Sequence, residues 1–240
     1  MKKRIWSLLI SATLFCTYLP TSHAADIVMG GWDTNGDGSI ETVYNSGFTI
    51  TIKEANGKTR TYPLTQNWFF MGTGDTDGVP GTDLIFNVNG TLKIIHDASQ
   101  TMSTYSLGGN WWLLNGGIAD TDGIPGAELV FNVNGTLRFV HDNTKTMKDY
   151  NIGNNWILIS GGITDLDGVA GSEIALNMGV VGGIKIFHEN TGITNSYAMP
   201  ANWTLAGIYN QDNVAGNEII YSTSAGTFAI NDRLKTNLGI

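Results

Sequence analysis

The 240-residue chain is 42% hydrophobic and 14% charged, with a mean hydropathy of −0.03, which excludes a disordered chain. Its 31 glycines follow no three-residue period, which excludes collagen. A formal net charge of −8, with 13 basic residues and no basic cluster beyond the first four positions, excludes a nucleic-acid binder that works by displacing counterions.

In chain order, the first element expected is an export segment. Lys2, Lys3 and Arg4 precede an apolar run from Ile5 to Leu19, and Ser22-His23-Ala24 offers a small-x-small cleavage site. The run is shorter than the ~20 residues of a membrane span. Residues 1–24 therefore read as a secretory signal peptide, and residues 25–240 as a single secreted or periplasmic domain with no stable membrane insertion after cleavage. Cys16 is the one cysteine, so the mature chain would hold together without disulfides. Removal of Lys2, Lys3 and Arg4 leaves 10 basic against 21 acidic residues, a net charge of −11.

The rest of the chain repeats. Asp33-Thr-Asn-Gly-Asp-Gly-Ser-Ile-Glu41, Asp75-Thr-Asp-Gly-Val-Pro-Gly-Thr-Asp83 and Asp120-Thr-Asp-Gly-Ile-Pro-Gly-Ala-Glu128 align. Asp165-Leu-Asp-Gly-Val-Ala-Gly-Ser-Glu173 and Asn210-Gln-Asp-Asn-Val-Ala-Gly-Asn-Glu218 continue the series, with first residues 42, 45, 45 and 45 apart. Asn-Trp pairs open units two to five at Trp68, Trp111, Trp156 and Trp203, and a His-acid pair follows at His96, His141 and His188. Within unit three, short runs rich in Val, Ile, Phe and Tyr predict strands at 111–118, 128–133, 136–141 and 146–152. Asn134-Gly135 is a two-residue hairpin signal between the second and third of these.

Four strands per 40–50-residue period is the pattern of a β-propeller, here five blades of four antiparallel strands closed into a disc. The first strand of each blade is expected at the axis, because Gly30-Gly31, Gly72, Gly116-Gly117, Gly161-Gly162 and Gly207 fall there.

The repeated loops concentrate 14 of the 21 acidic residues. Like charges this close disfavour the loop unless a cation neutralises them. Hard oxygen donors with no His or Cys inside the loop favour Ca²⁺. The expected ligands are Asp33, Asn35, Asp37 and Glu41; Asp75, Asp77 and Asp83; Asp120, Asp122 and Glu128; Asp165, Asp167 and Glu173; and Asn210, Asp212 and Glu218. Loop five, with Asn210 and Asn213 in place of Asp and Gly, is expected to be the weakest. The alternative is a set of metal-free polar turns held by Asx-type hydrogen bonds.

The string from Asp33 to Glu41 resembles the D-x-D-G-D-G-x-x-D loop of FG-GAP/VCBS-type repeats, found in integrin α-subunit propellers and bacterial secreted proteins. The later loops match its first, third and ninth positions and lack the fifth-position acid. The resemblance implies a loop joining the first and second strands of each blade, calcium as a structural ion, and a non-catalytic recognition or adhesion role.

Alternating strand direction puts the acidic loops and His-acid turns on one face, and the Asn-Gly turns and Asn-Trp pairs on the other. Trp68, Trp111, Trp156 and Trp203 are candidate glycan-stacking residues, or packing residues between blades. The histidines read as turn residues bonded to their neighbours, with no catalytic role, since a group repeated round a ring makes no unique cluster. The expected function is thus a calcium-stabilised extracellular module, not an enzyme, binding a glycan or a protein surface. The alternatives are an assembly partner in a cell-envelope or surface complex and a secreted polysaccharide-active enzyme.

Overall fold

The computed structural model describes residues 26–65, 67–153, 155–179 and 183–239; the expected export segment lies outside them. The described residues form five four-stranded antiparallel sheets, each a meander in which every strand pairs with the next in sequence. Blade 1 holds β1 (Ile27–Trp32), β2 (Glu41–Asn45), β3 (Thr49–Lys53) and β4 (Thr59–Pro63). Blade 2 holds β5 (Trp68–Gly74), β6 (Asp83–Val88), β7 (Thr91–His96) and β8 (Thr101–Tyr105). Blade 3 holds β9 (Trp111–Ala119), β10 (Glu128–Val133), β11 (Thr136–His141) and β12 (Thr146–Tyr150). Blade 4 holds β13 (Ile157–Thr164), β14 (Glu173–Asn177), β15 (Ile184–His188) and β16 (Ile193–Tyr197). Blade 5 holds β17 (Thr204–Tyr209), β18 (Glu218–Thr223), β19 (Gly226–Asn231) and β20 (Thr236–Gly239).

The second strand of a blade is apolar on both faces because neighbouring blades cover both. Every residue of β10 is buried, and Leu84, Ile85 and Phe86 of β6 are fully so. Four apolar clusters join successive blades. Ile52, Phe86 and Ile95 belong to the first, Ile94, Phe131 and Val140 to the second. Phe139, Leu176 and Phe187 belong to the third, Ile186, Ile219 and Tyr221 to the fourth. Among the described residues no such cluster joins blade 5 to blade 1. The main contacts between strands of different blades join first strands, β5 with β9, β9 with β13 and β13 with β17, as the glycine placement predicts. These are the blades of a β-propeller, in the number the repeats predict.

Asn134 and Gly135 both have positive φ, as do Asn89 and Gly90, which is the primed turn that matches strand twist. That turn fixes the register of the hairpin and thereby the position of every residue along it. First strands differ among blades. A single residue bulges in β1, β5 and β17, whereas residues 114–117 of β9 and 159–162 of β13 leave the ladder before pairing resumes.

Candidate functional site: the acidic loops and the histidines beneath them

Each acidic loop joins the first and second strands of its blade, and it is closed by its ninth residue. Glu41, Asp83, Glu128, Glu173 and Glu218 are buried, and one carboxylate oxygen of each accepts the backbone N–H of the loop's second residue at 2.6–2.8 Å. The first and third residues make Asx turns. Asp75, Asp120 and Asp165 accept from Gly78, Gly123 and Gly168, and Asp77, Asp122 and Asp167 accept from Val79, Ile124 and Val169. Burial, with the charges of Asp83 and Asp77 adding to it, holds Asp75 above the usual carboxylate range; Asp120 is raised likewise by burial and by Glu128 and Asp122.

Successive loops nest. Thr82 N–H donates to Asp33 O, Ala127 to Asp75 O, Ser172 to Asp120 O and Asn217 to Asp165 O, at 2.6–2.9 Å. At the fourth position of a loop only glycine fits. A Cβ on Gly78, Gly123 or Gly168 would lie 2.5–2.7 Å from the carbonyl oxygen of Pro125, Ala170 or Ala215 in the next loop. Loop five carries Asn213 at this position, with φ of 60°, so it keeps the left-handed turn.

The sequence reading missed the role of the histidines. Because Leu84 pairs with Ile95, Asp83 stands opposite His96, and the same register sets Glu128 opposite His141 and Glu173 opposite His188. His96 Nδ1 lies 2.9 Å from Asp83 and 3.4 Å from Asp77. His141 Nδ1 lies 3.4 Å from Glu128 and 3.5 Å from Asp122, and His188 Nδ1 3.6 Å from Glu173 and 3.4 Å from Asp167. The other ring nitrogen meets the next blade: Nε2 of His96, His141 and His188 is 2.9, 2.7 and 2.7 Å from Asp142, Glu189 and Asp232.

The three rings are only 1–4% exposed. Burial alone would lower their pKa, but the carboxylates outweigh it. Asp142 and Asp83 hold His96 up at about 9, Glu128 and Glu189 do so for His141, and Asp232 and Glu173 for His188. Asp142, raised by burial alone, is instead held well below the usual range by His96, Tyr105 and Lys145. The signal that could have revealed this was the two-residue turn, which counts outward to the Asp83–His96 pair.

Blades 1 and 5 differ. The register places Glu54 at the position of His96. Arg60 supplies the positive charge instead, bonding Glu54 and, across the blade junction, Asp97. In blade 5, Asn231 replaces the histidine and donates to Glu218 at 3.0 Å, and Arg233 lies 3.4 Å from Asp212.

The fit to calcium therefore varies by loop. Residues 33–41 present oxygen donors alone, and Glu41 Oε1 is buried with no hydrogen-bond partner; this set fits Ca²⁺. Loops two to four bring an imidazole nitrogen onto the carboxylates, which does not fit an all-oxygen ion. Loop five does not fit either, since Asn231 and Arg233 already face the oxygens of Glu218 and Asp212.

On the opposite face, Trp68, Trp111 and Trp156 donate their indole N–H to Gly47, Gly90 and Gly135 carbonyls of the preceding blade at 2.8–3.1 Å. Trp68 and Trp111 pack edge-on to Phe86 and Phe131, and Trp203 to Tyr221. All four lie in or against the inter-blade clusters. Trp112, next in sequence to Trp111, is 53% exposed. With Phe69, Asn87 and Asn115 it lines a cavity of about 580 Å³ along the first strands.

No protein-family model matches the chain, and no curated protein matches it. The FG-GAP/VCBS resemblance accordingly rests on the loop residues alone. Among solved structures, a streptogramin B lyase is 18% identical with a TM-score of 0.43, over 89% of this chain and 68% of the lyase. BBS1N, solved in complex with ARL6DN, is 11% identical with a TM-score of 0.43, over 81% of this chain and 61% of its own. Catalytically inactive virginiamycin B lyase from Staphylococcus aureus, solved with quinupristin, is 16% identical with a TM-score of 0.42, over 91% of this chain and 72% of the lyase. At these values the likenesses assign no site or activity to this chain. Two of the three are enzymes, which is the opposite of the sequence-based expectation for this chain. That expectation assumed that repeated blades leave no unique cluster, and it is withdrawn.

Proposed function

We propose that the protein is an exported five-bladed β-propeller that recognises an extracellular glycan on the face opposite its acidic loops, with calcium at residues 33–41 as a structural ion. Asp33, Asn35, Asp37 and Glu41 would hold that ion, which would neutralise the crowded carboxylates of the loop. The observation that carries the glycan reading is the cavity lined by Trp112, Phe69, Asn87 and Asn115. An exposed indole and phenyl ring offer stacking surfaces for sugar rings, and two carboxamides offer directional donors and acceptors. The stacking role considered for Trp68, Trp111, Trp156 and Trp203 thus passes to Trp112, because the first three spend their N–H groups on the preceding blade and Trp203 packs against the cluster between blades 4 and 5.

A glycan array tests this. Trp112→Ala is expected to abolish glycan binding and leave the melting temperature within about 1–2 °C, as for an exposed side chain. Trp111→Ala is expected to lower the melting temperature. Full binding by Trp112→Ala, or no glycan bound by the wild type, overturns the reading.

A further inference from the structure

The disagreement between calcium and loops two to four has a positive content. Three clusters among the described residues bring one imidazole and two carboxylates together: Asp77, Asp83 and His96; Asp122, Glu128 and His141; Asp167, Glu173 and His188. In each, the three ligand atoms lie within 4.8 Å of one another. Hydrogen bonding accounts for one of the six contacts, His96 Nδ1 to Asp83 at 2.9 Å, and not for the rest. An N–H···O bond spans about 2.7–3.2 Å, whereas five of the six Nδ1–carboxylate distances fall between 3.4 and 3.6 Å. Glu128 Oε1 is buried and lacks any hydrogen-bond partner, although Glu128 is only 1% exposed and faces the cluster. An orphaned buried acceptor or donor costs about 1–3 kcal/mol.

The spacing has another explanation. Ligands about 2.1 Å from a tetrahedral ion stand about 3.4 Å from one another. The outer side of each ring agrees with it. A metal-bound histidine characteristically presents its second nitrogen to a carboxylate, which fixes the ring and raises its basicity. Asp142, Glu189 and Asp232 occupy that place for His96, His141 and His188, each from the next blade.

We infer that loops two to four are three copies of one tetrahedral divalent-metal site of the zinc class, formed by histidine Nδ1, the third-position Asp and the ninth-position Asp or Glu. The fourth position is left to water, as in open zinc sites. Imidazole with carboxylate suits zinc, cobalt and nickel, whereas calcium takes six to eight oxygens. Each site ties the first two strands of a blade to its third, and its outer carboxylate extends the tie to the neighbouring blade. The inference stands apart from the calcium and glycan readings, since it uses neither residues 33–41 nor the Trp112 cavity.

Chelator-stripped full-length protein, dialysed against Co²⁺ alone and in parallel against Zn²⁺ alone, tests it. Three retained ions per chain are expected, with the intense visible bands of tetrahedral cobalt, and excess Ca²⁺ should leave them in place. His141→Ala is expected to retain two ions. The isosteric Glu128→Gln, as a second variant, should weaken one site while the other two keep wild-type affinity. Glu189→Ala should keep three sites but weaken one by roughly 10–100-fold. No cobalt or zinc retained by the wild type overturns the inference, as does its displacement by calcium. Retention of three unaltered sites by folded His141→Ala or Glu128→Gln also overturns it, and loss of calcium-dependent melting alone leaves it standing.

Discussion

Blades 2 to 4 and blades 1 and 5 solve one problem with different residues. In the middle blades a buried histidine lies between its own loop and an acid from the next blade. In blade 1, Arg60 reaches Asp97 directly, and in blade 5 an uncharged amide, Asn231, sits where the ring would be. The loops diverge the same way: glycine at the fourth position where the next loop presses in, as at Gly78, Gly123 and Gly168, and Asn213 in loop five. Blade 1 meets blade 2 as the middle blades meet theirs, so at that junction a guanidinium does for the buried acid what an imidazole does elsewhere.

The comparison is broken most directly at Arg60. Its side chain is 10% exposed and pairs with Asp97, which is fully buried. Tyr62 and Thr34 also donate to that carboxylate, yet only the guanidinium neutralises it. Arg60→Met is expected to cost about 3–5 kcal/mol in urea unfolding, because it leaves a buried charge unpaired. Lys148→Ala in blade 3, whose half-exposed amine is 3.8 Å from Glu189, should cost no more than ~0.5 kcal/mol. Equal losses would show that the interior junction depends on its lysine and not on its histidine.

Loop nesting is probed next. Gly123→Ala adds a Cβ 2.7 Å from Ala170 O at a φ of 77°. The left-handed backbone costs an alanine about 1–2 kcal/mol, and displacement of the next loop should bring the loss to about 3 kcal/mol. Asn213→Ala meets the backbone cost alone, about 1 kcal/mol. Thermal unfolding of the pair measures the contribution of the neighbouring loop as their difference. A fully closed ring, in which loop one pressed on loop five as the others do, predicts equal losses.

The fold was legible because it is written in repeated local signals. Asn134-Gly135 and the apolar runs around it put the strands of unit three within two residues of their observed ends, and the glycines named the inner strand. The acidic loops were also located, but the histidines that meet them were not. Asp83 and His96 are thirteen positions apart in sequence, and they become neighbours only through the register that the Asn89-Gly90 turn imposes. The indoles were left open between stacking and packing for the same reason. Trp111 finds its acceptor in the hairpin of the preceding blade, a contact that depends on how blades stack and leaves no mark in local composition. What was lost in both cases is pairing between distant segments.

The smallest effect expected is a pH dependence confined to the middle blades. Without metal, His96, His141 and His188 titrate at about 9 in the folded chain against an ordinary 6.5. A raised folded-state pKa means that the proton favours the native state. The stabilisation is therefore complete below about 6.5 and is lost as pH rises through about 9. At the acid end Asp97, Asp142 and Asp232 are held below their ordinary 3.8, so their contribution is lost as pH falls beneath that value. Chelator-treated protein should melt highest between roughly pH 4 and 6.5 and then fall, by about 2–4 °C for each kcal/mol lost. Substituting the histidines by Asn, the residue blade 5 carries at this position, should flatten the alkaline limb and shrink the acid limb to the part that Asp97 and Arg60 sustain without a ring. A wild-type melting temperature unchanged from pH 6 to 10 in chelator would mean that the rings carry no proton there, and the contrast between middle and terminal blades would then be one of packing alone.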